Sequence, residues 1–202
     1  KYDENRSFFT EGTELFNKGN NSSINLFYSR RIGGAPLHQY DIYGNISPSE
    51  MVVENPSESK LLNATKISGR NSKGLGIGFF NAITKPMYAV VEDTLLHDTH
   101  KVEVAPLTNY NIIVLDKTLK NNSSVTFINT STLRQGKDYD ANVSLGSFDM
   151  YTKGNKFNYF GSLVISKIFN TAGNHTGYYH LLGIGMPSGK LNFSIIQEVA
   201  DT

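Results

Sequence analysis

His97 and His100, three residues apart with Asp93 and Asp98 beside them, form the densest group of potential metal ligands in the chain. On one helical turn such a pair could offer two imidazole nitrogens to zinc or another divalent ion, but a closed site needs further ligands. No third ligand follows at a suitable spacing, and a solvated loop is the competing reading. Asp41, Asp138 and Asp140 are carboxylates whose partners the sequence leaves open; calcium in a loop is one use for them. Gly74-Leu75-Gly76-Ile77-Gly78 has the glycine spacing of a phosphate loop, yet its period is that of a strand and no helix follows. There is no Gly-x-Ser-x-Gly elbow and no Walker loop. The lack of Cys removes thiolate nucleophiles and zinc ribbons. These residues predict a non-enzymatic protein with no cofactor.

The composition narrows the class further. Charged residues are 18% and apolar residues 39% of 202, below the usual shares of about 25% and 45–50%. A net charge of +1 supplies no field for nucleic acid, and no basic stripe interleaves with aromatics. The apolar runs are far shorter than the roughly 20 residues of a transmembrane helix. Lys1 opens a charged stretch rather than an apolar leader, so the chain reads as part of a longer one. Many Asn-x-Ser/Thr triplets occur (Asn21, Asn45, Asn63, Asn122, Asn174), as chance allows in so Asn-, Ser- and Thr-rich a sequence; Asn142 and Asn192 are expected inside strands.

Alternation with period two is the strongest pattern. Leu75, Ile77, Phe79 and Ile83 fall on one face and Gly74, Gly76, Gly78 and Ala82 on the other. With residues 63–70 this predicts a hairpin. Three more are predicted: 108–118 with 124–133, 142–152 with 157–169, and 177–186 with 190–199. A further strand is expected around Ile24–Arg31. Tight turns alternate with connections expected to be long, at 85–107, 135–141 and 170–176. An up-and-down antiparallel meander fits, and so does the unequal rim of a transmembrane β-barrel. Strands of ten or more residues are close to the 9–11 that cross a bilayer. Tyr110, Tyr151, Phe157, Tyr159, Tyr178 and Tyr179 lie near strand ends, where an interfacial girdle would sit. The fold class expected is therefore all-β: an antiparallel meander, as a transmembrane β-barrel or a fragment of one.

Two segments near the start carry a resemblance. Phe8, Phe9, Glu11, Gly12 and Phe16, followed by Leu26-Phe27-Tyr28-Ser29-Arg30-Arg31-Ile32-Gly33, resemble an outer-membrane β-barrel family with a family-9-type carbohydrate-binding module before the barrel. Ser7 departs from it, since the family usually has Pro there. Lys66–Arg70, Leu75–Ala82 and Asn109–Ile112 look like the next strands. The resemblance implies a cell outer membrane location and a longer protein. Residues 1–34 would lead into the barrel, partly lumenal, and residues 35–202 would be hairpins of an incomplete barrel. It implies a role in transport, in an envelope complex or in glycan binding. Membrane lipid would be a partner, with other envelope proteins or glycans as further candidates and no nucleic acid. It implies no chemistry.

Adjacent residues of a strand point to opposite faces, so Arg30 and Arg31 cannot both enter a lumen. A lipid-facing Arg costs about 2–4 kcal/mol at mid-bilayer and about 0–1 at the interface. Glu11 and Glu14 are the nearest carboxylates able to pin the segment to the inner wall through an Arg–Glu pair; solvated rim charges are the alternative. A soluble extracellular β-sheet protein that binds a ligand, lipocalin- or sandwich-like, is the competing reading of the whole chain. The two differ in where Leu75, Ile77 and Phe79, and Leu191, Phe193 and Ile195, point: outward around a polar interior, or inward to a core.

Overall fold

The computed structural model describes residues 14–17, 26, 32–188 and 191–201. The strand expected at Ile24–Arg31 lies largely outside these, as do Glu11, Arg30 and Arg31. The described chain is nearly all antiparallel β. A short helix α1 (Ile42–Asn45) precedes eleven strands: β1 (Glu50–Glu54), β2 (Leu61–Arg70), β3 (Leu75–Thr84), β4 (Met87–Asp93), β5 (Asp98–Ala105), β6 (Thr108–Thr118), β7 (Ser124–Arg134), β8 (Asp140–Tyr151), β9 (Asn158–Asn170), β10 (Gly173–Met186) and β11 (Phe193–Asp201).

Eight strands form one sheet in the order β11-β10-β9-β8-β7-β6-β3-β2. All four expected hairpins are present, as β2–β3, β6–β7, β8–β9 and β10–β11. Their turns gather at one rim. Left-handed backbone at Asn121, Asn122, Gly154 and Asn155 lets two of them reverse tightly, since Gly and Asn adopt that conformation at least cost. The sheet does not close: β2 and β11 have one neighbour each among the described residues.

The opposite rim departs from expectation. The 85–107 connection is not a loop, because β4 and β5 pair there and add β1 to make a second, three-stranded sheet. Its alternation was hidden by charge: Ala89, Val91 and Val104 are buried, while Glu103 and Lys101 point to water. With Ile42, Met87 and Ala105 they form a compact apolar cluster of their own. The 170–176 stretch is no long loop either. β9 and β10 pair as far as Asn170 and Gly173, leaving Thr171 and Ala172 as the reversal. Asn192 lies just outside β11, whereas Asn142 is within β8 as expected.

In the large sheet the two faces differ sharply. One face is covered: Phe80, Ala82, Val114, Ile128 and Leu145 are almost fully buried, with Leu15, Phe16 and Ile32 of the preceding segment packed into the same cluster. The other is open. Leu75, Ile77, Phe79, Ile113, Leu115, Val125, Phe127, Leu163, Ile165, Leu182 and Ile195 are all exposed there. Along β6 the contrast repeats residue by residue, with Ile112, Val114 and Asp116 buried and Ile113 and Leu115 exposed.

Glycine permits the close approach of the covering segment. A Cβ at Gly78 would lie 3.2 Å from the Phe16 ring and 3.4 Å from Val114 Cβ. Gly78→Val is therefore expected to displace Phe16 and destabilise the protein by about 1–3 kcal/mol, as overpacking does. Denaturant midpoints of the variant and wild type would measure it, and an unchanged midpoint would mean that Phe16 is not held there.

Candidate functional site

Polar groups are brought together at both ends of the covered face. At the tight-turn rim Asp116, with its side chain fully buried, pairs with Arg70 from the neighbouring hairpin and accepts a hydrogen bond from Thr126 Oγ1 at 2.8 Å. The register β2–β3–β6–β7 aligns Arg70, Gly76, Asp116 and Thr126 in one row, and Gly76 leaves room for the guanidinium. Arg70 also donates to Thr118 Oγ1 and to the Gly74 carbonyl, each at 2.9 Å, which ties the ion pair to the turn. Nothing here resembles a nucleophile and its base; the group holds the wall together.

The other rim carries a cavity of about 340 Å³. Segment 34–37, the ends of β3 and β7, the starts of β6 and β8 and the loop after β7 enclose it. Tyr110, Thr132, Arg134 and Tyr139 line it, and Thr84 and Thr108 are buried in its wall. The Arg134 guanidinium lies 4.3 Å from the Tyr139 ring centroid and donates Nη1 to the Tyr139 carbonyl. Asp140 accepts instead from the Arg134 main-chain N–H, at 2.7 Å. Cation–π contact and the carbonyl fix the guanidinium without neutralising it.

A histidine bridge flanks this cavity. His38 contacts Asp41 through Nδ1 at 2.9 Å and Asp138 through Nε2 at 2.8 Å, tying the segment before α1 to the loop that carries Tyr139. The hydrogen bond to Asp41 chiefly, then that to Asp138 and the charges of both carboxylates, raise the His38 pKa above 6.5 against a lowering by burial. A raised folded-state value means that the bridge contributes its full stability below the unfolded value and loses it as pH climbs through the folded one. Because the ring is 38% exposed, solvent keeps the effect small. His38→Gln should lower the urea midpoint most near pH 5.5, with the difference shrinking towards pH 8; a pH-independent difference would contradict the bridge.

The residues singled out from sequence fare unevenly. Glu14 is exposed, in the turn that delivers Leu15 and Phe16 to the covered face. Its suggested arginine partners fall outside the described residues. His97 has left-handed backbone at the β4–β5 reversal and lies 3.4 Å from Glu92, while His100 on β5 lies 3.7 Å from Glu50 on β1. The helical turn that would aim both imidazoles at one ion is therefore replaced by a hairpin. Among the described residues no group of three or more His, Cys, Asp or Glu could hold a metal. Asp41 and Asp138, whose partners the sequence left open, converge on His38. Arg134, Tyr139 and His38 were missed, and only the Asp138-Tyr139-Asp140 run pointed towards them.

Of the aromatics expected to form a girdle, Tyr159 and Tyr178 are on the open face. Tyr110, Tyr151 and Tyr179 share the parity of the covered face. The described residues include no helix long and apolar enough to cross a membrane, which says nothing of strands.

Comparison with known proteins returned no match among curated proteins and none among solved structures. All of residues 1–202 match the family described as Domain of unknown function (DUF5916), and the chain belongs to that family.

Proposed function

We propose that this chain is part of a non-enzymatic outer-membrane β-barrel whose open face meets lipid and whose covered face lines the lumen. The observation carrying this reading is an extended apolar face left exposed: bulky apolar residues of β2, β3, β6, β7, β9, β10 and β11 stand on it, while the opposite face is covered and holds both an apolar cluster and the buried Asp116–Arg70 pair. A soluble sheet would turn Ile77, Leu115 and Phe127 into a core. A monomer in water rarely exposes so extended an apolar face.

Two details support the same reading. Lys117, whose register puts it on the open face, runs back to donate Nζ to the Lys73 carbonyl at the turn, 2.6 Å away, as a snorkelling lysine does. An unbroken polar row also crosses the open face, Thr65–Asn81–Asn111–Ser131–Asn142–Lys167–Thr176, one residue per strand across seven strands. Its amides bond one another and those of the adjoining rows: Asn81 donates to Asn111 at 2.8 Å and to Asn109 at 2.7 Å, and Asn129 donates to Asn142 at 3.1 Å. Mutual pairing lowers the cost of such groups where water is scarce.

The unpaired edges of β2 and β11 could not remain open in hydrocarbon. They are completed, on this reading, by further strands of the full protein or by a partner, and the assembly serves passage through the envelope or binding at it. Its membership of an outer-membrane family with a family-9-type carbohydrate-binding module belongs to the same proposal. Nitroxide labels at successive positions 75–80 of the full chain in lipid vesicles test it. Lipid-dissolved oxygen should reach the odd positions and not the even ones. Equal access of a water-soluble relaxant to the odd positions would overturn it.

A further inference from the structure

We infer that the rim cavity is a binding site for a carboxylate-bearing polyol of about one sugar ring, anchored by Arg134. Such a site does not depend on whether the open face meets lipid. Among the described residues Arg134 makes no ion pair: its one side-chain hydrogen bond there is the Nη1 donation to the Tyr139 carbonyl, and its other contact is the Tyr139 ring. Nε and Nη2 keep their N–H groups, in the fixed fork that matches a carboxylate. The nearby acids are occupied, Asp138 by His38 and Asp140 by the Arg134 main-chain N–H.

The rest of the lining suits a ring bearing hydroxyls. Ser59, Thr132 and Tyr139 line the space, and their side-chain hydroxyls make no hydrogen bond among the described residues. Each can donate one and accept from another. The volume of about 340 Å³ lies at the small end of ligand sites, the scale of a single ring rather than an extended chain. A half-buried cation held by stacking, beside unbonded hydroxyls in a concave space, recognises charge and polyol together.

Saturation-transfer NMR on the full chain in detergent, with glucuronate, glucose and propionate as probes, tests this. Glucuronate should give saturable signals, with glucose and propionate each at least roughly tenfold weaker, since each lacks one half of the recognised chemistry. Arg134→Gln should weaken glucuronate by a similar factor, and Thr132→Val by a smaller one, while Lys156→Gln at the other rim leaves it unchanged. Glucose binding as well as glucuronate would remove the role of Arg134, and propionate binding as well would remove the polyol. No saturable glucuronate signal in the wild type would end the proposal, whatever the variants do.

Discussion

Asp116→Ala is expected to cost about 3 kcal/mol, the lower end of the range for breaking a buried ion pair. The loss arises because Arg70 keeps its charge but loses its carboxylate, and Thr126 loses its acceptor. The lower end applies because the Arg70 side chain remains 33% exposed and so partly hydrated. Equilibrium unfolding in detergent would measure it. Replacing both partners, as Arg70→Met with Asp116→Leu, should recover most of the loss, because no lone charge remains. A single variant within about 0.5 kcal/mol of wild type would mean that the pair is loose and solvated.

Leu115→Arg and Phe127→Arg should each destabilise by about 2–4 kcal/mol in a bilayer if the open face is bathed in hydrocarbon. These residues face one another across β6 and β7 and are 44% and 43% exposed. In water, arginine at sites so exposed would change stability by no more than about 0.5 kcal/mol. The two solvents thus differ by more than the error of the measurement. Thr65→Arg, at the β2 end of the polar row, serves as the reference, with an expected cost of about 0–1 kcal/mol for an interfacial position. If the Leu115, Phe127 and Thr65 variants prove equally stable, the lipid-facing reading fails.

How far the fold was legible follows from the range of the forces. Leu75, Ile77 and Phe79 alternate with glycines within a single strand, so their segregation to one face needed no knowledge of the remaining chain. The four hairpins were similarly local, since each turn lies between two such runs. β4 and β5 were read as a loop because Glu92, Lys101 and Glu103 dilute the apolar signal of a sheet buried on one side only. The β9–β10 reversal was missed for a related reason. Asn170, Asn174 and His175 are polar, but backbone pairing to Asn170 and Gly173 does not require apolar side chains.

The candidate site was less visible. His38 and Asp138 are 100 positions apart, and their contact depends on where the loop after β7 meets the segment before α1. Arg134 and Tyr139 are close in sequence, yet whether that arginine meets a carboxylate depends on His38 having taken Asp138 and on Asp140 turning to the main chain. The Arg–carboxylate pair sought at the N-terminal segment has its described counterpart at Arg70 and Asp116, 46 positions apart and joined through strand register.

Residue order alone determined that this chain makes long antiparallel strands with one greasy side, because a period of two is written into neighbours along the backbone. Only the tertiary structure decided which side is covered, which strands stand at the edges, and that a histidine bridge meets, at one rim, an arginine with no acid partner among the described residues. Those outcomes depend on register between strands and on the packing of Leu15 and Phe16 against glycines far along the chain, couplings that no local pattern contains.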